Sequence, residues 1–126
     1  MAVTPEETAR WLLRRFAAEN AQATERAQVL HRAVAEIVPR IARQVGATRV
    51  FLFGSLAWGG VDQHSDIDLA VEGLSPARID DFGGEAIMQL PARVDVVRLE
   101  DARPSLAARI LESGELLFAA EVDKAR

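Results

Sequence analysis

The chain has 126 residues, enough for one domain, and its 49% hydrophobic and 27% charged content is typical of a globular protein rather than a disordered one. It contains no cysteine, which excludes a disulfide framework and a thiolate zinc site. The net charge is −4, and residues 47–126 carry fourteen acidic against eight basic residues, so this part would repel nucleic acid and favour cations or a basic partner.

Two helical patterns come first. Residues 4–7 (TPEE) form a capping box with proline at the first helical position, which predicts a helix over about residues 5–20. Apolar residues then recur at steps of about four over residues 29–45, which predicts a second helix. Pro39 lacks an amide donor and crowds the preceding turn, so we expect it to kink or split that second helix.

Three strands are predicted after the helices. Residues 49–53 (RVFLF) are apolar on both faces, which is typical of a central, fully buried strand. Residues 66–72 (DIDLAVE) mostly alternate between polar and apolar, and residues 93–99 (RVDVVRL) form a third strand. The remaining predicted elements are two helices and a short edge strand, at about residues 76–90, 104–113 and 115–118.

Asp66 and Asp68 lie two positions apart on a predicted strand, so they share a face with their Cα atoms roughly 6.5–7 Å apart. At an effective dielectric near 20, two such carboxylates repel each other by about 2–3 kcal/mol. A divalent cation reverses the sign of this energy, and Mg²⁺ binds carboxylates while keeping positions open for substrate phosphate. The pair is therefore a candidate metal site, and a solvated strand face is the alternative.

Gly54 and Ser55 follow the first strand directly. Glycine lets the backbone approach a phosphate closely, and serine offers a hydroxyl and an amide to anionic oxygen. A helix starting here would add free amides that favour a phosphate, whereas an ordinary turn is the alternative. Asp95, on the third strand, would approach Asp66 and Asp68 if the two strands are neighbours; otherwise it is a surface aspartate.

Residues 50–72 (VFLFGSLAWGGVDQHSDIDLAVE) resemble the signature of the DNA polymerase beta-like nucleotidyltransferase superfamily, which is Gly-Ser, ten residues, then Asp-x-Asp. The strand around Asp95 resembles the one that bears the third carboxylate, and residues 103–111 resemble the C-terminal helix of the minimal members. The resemblance covers about residues 37–118. It implies an α/β (α+β) fold with a short mixed sheet and helices mainly on one side. The predicted single domain, 1–126, joins an N-terminal helical extension (1–36) to a catalytic core (37–118).

The resemblance also implies roles for individual residues. Asp66, Asp68 and Asp95 would be the catalytic residues and the ligands of two Mg²⁺ ions, and Asp95 would help to deprotonate the attacking hydroxyl. Gly54 and Ser55 would bind the phosphates of a nucleoside triphosphate. The implied reaction is in-line attack on the α-phosphorus, with pyrophosphate leaving.

Trp58 departs from the family pattern. Relatives often read Gly-Ser-x-Ala-Arg-Gly, and here Trp58 stands where that arginine would be. A cation near the triphosphate is lost unless Arg49 or another arginine replaces it. Trp58 could stack on a base or a partner, or cover the edge of the core. The helix over residues 5–20 is also extra, and could complete the core or dock a partner.

Small stand-alone relatives are often antitoxins paired with HEPN-domain toxins, which are RNases. The resemblance therefore implies transfer of AMP from ATP to a tyrosine of such a toxin. The alternatives are a non-catalytic antitoxin that masks its partner and an enzyme that modifies a small molecule such as an aminoglycoside. The intact carboxylates argue against masking alone, and the lack of further domain mass argues against a small acceptor.

The first residues of the chain and the length of its apolar runs predict where the protein is located. The first ten residues carry two glutamates where a signal peptide would be basic, and no apolar run approaches the ~20 residues that span a bilayer. We expect a cytoplasmic protein without membrane association or direct nucleic-acid binding.

Overall fold

The computed structural model describes residues 4–61 and 65–121, which form a four-stranded mixed sheet with four α-helices. A 3-10 turn covers Leu99–Asp101. The elements in chain order are α1 (Pro5–Val45), β1 (Arg49–Phe53), α2 (Ser55–Trp58), β2 (Ile67–Glu72), α3 (Pro76–Gln89), β3 (Val94–Arg98), α4 (Pro104–Ser113) and β4 (Glu115–Ala119).

The strand order across the sheet is β3-β2-β1-β4. β1 runs antiparallel to both of its neighbours, whereas β2 and β3 are parallel and α3 connects them. β1 is therefore the central strand that its apolar sequence predicts, and Val50, Phe51 and Leu52 are all buried. The mixed sheet agrees with the fold class that the resemblance implies.

The two faces of the sheet carry two separate cores. The larger core joins one face to α1 and α3, where Phe82 and Ala86 are fully buried. The smaller core lies on the opposite face, where Ile110 of α4 packs near Phe51 and Ala70. Strand alternation produces this division, because successive residues of β2 point to opposite faces.

The prediction of two N-terminal helices is wrong, because α1 is one helix of 41 residues that continues through Pro39. The predicted capping box at Thr4 and Glu7 is present. Pro39 leaves the carbonyl of Ala35 without its helical donor, but Ala35 is exposed and water can bind that oxygen. Packing holds the helix together on both sides of the proline, through buried residues that include Leu30, Val34, Val38, Ile41 and Val45.

The first half of α1 projects beyond both cores. Every residue of α1 is described, and none before Leu30 is buried. Trp11, Leu13 and Phe16 are 53%, 67% and 56% exposed. The predicted boundary between residues 36 and 37 falls inside this continuous helix. None of the helices in the described part of the chain is both long and apolar enough to cross a membrane.

Candidate active site

Two of the predicted carboxylates lie side by side. Asp68 of β2 is in register with Asp95 of β3, and neighbouring strands are about 4.8 Å apart. Both residues point to the sheet face that carries the smaller core, whereas Ile67 and Leu69 point to the larger core. Asp66 lies just before β2, two residues from Asp68. The parallel pairing of β2 and β3 thus brings residues 27 positions apart in the sequence into one acidic cluster.

Among the described residues, none is a cause that lowers the pKa of Asp68, the acid at the centre of the cluster. Burial raises the pKa of Asp68, and the nearby carboxylates of Asp95 and then Asp66 raise that pKa further. All three effects disfavour the ionised form of Asp68. A bound cation would act in the opposite direction, because it favours the ionised carboxylate.

Gly54 brings the backbone that follows β1 directly against this cluster. Its φ of 74° is rare for a residue with a side chain. A Cβ atom built on Gly54 would overlap the carboxylate of Asp68 and would lie 3.0 Å from its Cγ. Glycine is therefore required here for two independent reasons, the backbone conformation and the close approach of the acid.

Ser55 begins the single-turn helix α2, which is closed by a 2.9 Å hydrogen bond from the Trp58 amide to the Gly54 carbonyl. Ser55 also lines a cleft of about 510 Å³ between α2 and α1. Asn20 and Thr24 are on the α1 wall of this cleft, and Gly59 and Gly60 are on the other. The cleft leaves room for a ligand beside the Gly54-Ser55 loop.

Trp58 packs toward α4 rather than projecting into solvent. Its indole ring is 6.1 Å from the ring of Phe53, measured between centroids, and Nε1 donates a 2.9 Å hydrogen bond to the Ser113 carbonyl. The guanidinium carbon of Arg109 lies 3.8 Å from the Trp58 ring centroid, which is a cation–π contact. Trp58 thus covers the edge of the smaller core and also supports a cation.

Arg49 does not supply the missing cation. It makes two 2.7 Å hydrogen bonds to the carboxylate of Glu72. Arg49 also begins β1, so its backbone lies about 13 Å from Phe53 at the end of the strand that faces Asp68. The suggestion that Arg49 replaces the family arginine is therefore contradicted.

Sequence reasoning missed Arg26, which reaches the acidic loop from α1. Its Nη2 donates a 3.2 Å hydrogen bond to the Ser65 carbonyl, one residue before Asp66. Its Nε is buried and has no hydrogen-bond partner in the structure as described. The contact joins residues 39 positions apart. The only sequence signal for it is that Arg26 lies at the start of the apolar stripe by which α1 faces the sheet.

The described carboxylates could supply some of the ligands of a Mg²⁺ ion, but they do not form a complete coordination shell. Within residues 4–61 and 65–121, no three acidic, histidine or cysteine side chains form a group that could hold a metal ion. Mg²⁺, however, is usually bound by one or two carboxylates, water and substrate phosphates. The adjacent, charge-unbalanced Asp68 and Asp95 provide carboxylate oxygens of this kind, so the residues fit the ion that the resemblance implies.

Known proteins that are similar to this chain in sequence or structure include nucleotidyltransferases. The family model described as polymerase beta, nucleotidyltransferase, matches residues 36–123. A solved minimal nucleotidyltransferase is 31% identical over 66% of this chain and 88% of its own, with a TM-score of 0.57. No curated protein matches the sequence.

Two toxin–antitoxin structures share the fold. One, crystallised with AMP-PNP, is 24% identical over 69% of this chain and 74% of its own, with a TM-score of 0.59. The other holds the tri-AMPylated HEPN toxin of Shewanella oneidensis with an MNT antitoxin; it is 22% identical over 68% of this chain and 70% of its own, with a TM-score of 0.52.

Proposed function

The chain belongs to the polymerase beta family of nucleotidyltransferases, and from this premise we propose that it transfers AMP from ATP to a hydroxyl group of a partner protein. The observation that carries the proposal is the position of Asp68. It lies in register with Asp95 and against Gly54, so the acidic cluster and the loop suited to phosphate meet at one point. Nucleotidyl transfer needs carboxylates and a close backbone approach together.

The chain's own residues divide the chemistry between them. The Gly54-Ser55 loop binds the phosphates, and the acceptor's hydroxyl oxygen attacks the α-phosphorus. The new O–P bond forms as the bond from the α-phosphorus to pyrophosphate breaks. The hydroxyl proton passes to a carboxylate oxygen of Asp95, which is exposed at the edge of the cluster and therefore accessible to an acceptor.

Asp68 and Asp95 would hold Mg²⁺ together with water and substrate phosphates, and Asp66, two residues from Asp68, would join them once the ion is bound. When bound, the ion supplies positive charge that favours loss of the hydroxyl proton and offsets charge on the departing pyrophosphate. The pKa of Asp68, which burial and then the carboxylates of Asp95 and Asp66 raise, supports this assignment, because a bound cation would offset all three effects.

The proposed acceptor is a tyrosine of a HEPN-domain toxin, and the protein would act as its antitoxin. Support comes from the two toxin–antitoxin complexes that share the fold, one of which contains an AMPylated HEPN toxin. The charge of the chain is also consistent with this acceptor. The acidic part that contains the cluster suits a basic RNase and would repel free nucleic acid.

The experiment uses ATP labelled at the α-phosphate, Mg²⁺ and a lysate of the source cell. Wild type is compared with Asp68→Asn, and Asp80→Asn is the matched control because Asp80 is an exposed aspartate of α3. We expect a labelled protein band with wild type and Asp80→Asn but not with Asp68→Asn. Mass spectrometry of the band should show added AMP on a tyrosine.

The alternative outcomes separate the rival functions. A labelled RNA would keep the enzymatic activity but replace the acceptor. A lack of transfer with all four nucleotides, together with a lack of Mg²⁺-dependent nucleotide binding, would reject the enzyme and favour an antitoxin that only masks its partner.

A further inference from the structure

We propose that Arg109, supported by the ring of Trp58, binds the β- and γ-phosphates of the nucleotide substrate. The inference rests on the proposed function and adds a residue of α4 to the site. The inference is based on the 3.8 Å contact between the Arg109 guanidinium and the Trp58 ring, at the end of the helical turn that starts at Ser55.

The position of Arg109 follows from three successive contacts. Asp68 faces Phe53 across the antiparallel pair of β1 and β2. The ring of Phe53 contacts Trp58, with 6.1 Å between centroids, and Trp58 carries Arg109 on its face. All four residues are on the sheet face that holds the acidic cluster. Arg109 is thus linked to Asp68, whose carboxylate lies against Gly54, by one strand pairing and two side-chain contacts.

The guanidinium is free to bind an anion. Arg109 is exposed and has no carboxylate partner among residues 4–61 and 65–121. Two other arginines of the acidic part are engaged, since Arg49 binds Glu72 and Arg98 binds Asp101. The 3.8 Å cation–π contact with Trp58 does not use the guanidinium N–H groups to bind a carboxylate, so these donors stay available for phosphate oxygens.

Arg109 is also more rigidly placed than Arg93, the arginine closest in sequence to Asp95. Arg93 lies two residues before Asp95 on the same strand face, but it is exposed and no contact of its side chain is seen within the described residues. Trp58, in contrast, is fixed by its hydrogen bond to the Ser113 carbonyl, and it fixes the plane on which Arg109 rests. A cation held in position loses less conformational entropy on binding.

The test measures Mg²⁺-dependent binding of AMP-PNP and of AMP by calorimetry on the full chain. We expect Arg109→Ala to weaken AMP-PNP binding by about tenfold or more, the usual effect of losing a charge-assisted hydrogen bond. AMP has no β- or γ-phosphate, so its affinity should change less than about twofold. Arg109→Lys should recover part of the AMP-PNP affinity, and a cation returned from α2 by Trp58→Arg in the Arg109→Ala chain should recover more.

Arg103→Ala is the matched control, because Arg103 is an exposed arginine at the start of the same helix and makes no capping hydrogen bond through its side chain. It should bind both nucleotides as wild type does. Thermal melts establish that each variant is folded.

Three results would overturn the inference. These are unchanged AMP-PNP binding by Arg109→Ala, equal losses for AMP-PNP and AMP, or a larger selective loss in Arg93→Ala. If wild type transfers AMP and Arg109→Ala binds AMP-PNP normally, the inference fails and the proposed function stands. If wild type binds AMP-PNP but transfers nothing, the proposed function fails on its own. A wild-type chain that binds no nucleotide would reject both.

Discussion

Gly54 and Asp68 are in such close contact that neither can change without affecting the other. Gly54 follows β1 with a positive φ of 74°, and the carboxylate of Asp68 occupies the space where a side chain would begin. The loop suited to phosphate and the centre of the acidic cluster are therefore one structural unit. This contact leads to the first prediction.

We expect Gly54→Ala to abolish nucleotide binding and to lower the melting temperature. A non-glycine residue in this backbone region costs about 1–3 kcal/mol, and the overlap with Asp68 adds to that cost. Gly46→Ala is the control, because its φ of 85° is also positive, a Cβ there meets nothing within 4 Å, and it ends α1 rather than lining the cleft. If the two variants bind nucleotide equally well, contact with Asp68 is not what requires glycine at position 54.

Asp68→Asn should make the protein more stable in the absence of metal, while it lowers transfer about a hundredfold or more. Because folding raises the pKa of Asp68, its contribution to stability is fully favourable below the unfolded pKa and is lost as pH rises through the folded pKa. The variant should therefore gain roughly 0.5–1 kcal/mol at pH 7 and show no gain below about pH 4.

Chemical denaturation at pH 7 and pH 4 checks the stability of Asp68→Asn, with Asp80→Asn as the control for loss of an exposed charge. Mg²⁺ with a nucleotide should raise the stability of wild type and of Asp80→Asn but not that of Asp68→Asn. A stability gain in Asp68→Asn that is independent of pH would contradict the electrostatic explanation.

Glu72→Gln should have the opposite pH dependence and no effect on transfer. The hydrogen bonds and charge of Arg49 lower the pKa of Glu72, so this contribution is present above the unfolded pKa and is lost as pH falls through the folded pKa. We expect a loss of about 1 kcal/mol at pH 7 that decreases below about pH 4.5 and disappears below the lowered pKa of Glu72.

Glu19→Gln is the comparison for Glu72→Gln, because the Arg15–Glu19 pair is 62% and 55% exposed and should contribute little. Denaturation curves at pH 7 and at about pH 3 measure the difference between the two variants. A similar loss of unfolding free energy in each variant would show that the bidentate geometry of the Arg49–Glu72 pair adds nothing to stability.

Much of the fold could be predicted because the strands carry strong local signals. The apolar run of β1 indicated a central strand, and the alternation in β2 placed Asp68 on the face opposite Leu69. The sequence spacing did not predict the cation–π contact of Arg109 and Trp58, two residues that are 51 positions apart. Such contacts depend on how helices dock, and no local pattern encodes that.

The continuity of α1 could not be predicted for a related physical reason. The local cost of a proline inside a helix is about 3 kcal/mol, which favours a break at Pro39. Buried residues on both sides, including Val38 and Ile41, are packed in the larger core, and their burial outweighs that cost. Tertiary packing thus keeps α1 as one helix, where helix propensity alone predicts two helices.

The two halves of α1 should respond differently to the same substitution. Leu30 is 1% exposed in the larger core, whereas Leu13 is 67% exposed on the projecting half. We expect Leu30→Ala to cost about 2–5 kcal/mol of unfolding free energy, because it removes buried methyl groups and leaves a cavity. Leu13→Ala should stay within about 0.5 kcal/mol, since its side chain buries little. Urea denaturation of the two variants at low protein concentration measures both values. A comparable loss in Leu13→Ala would mean that the projecting half of α1 is packed in solution, and its apolar residues would then be part of the stable fold rather than a free surface.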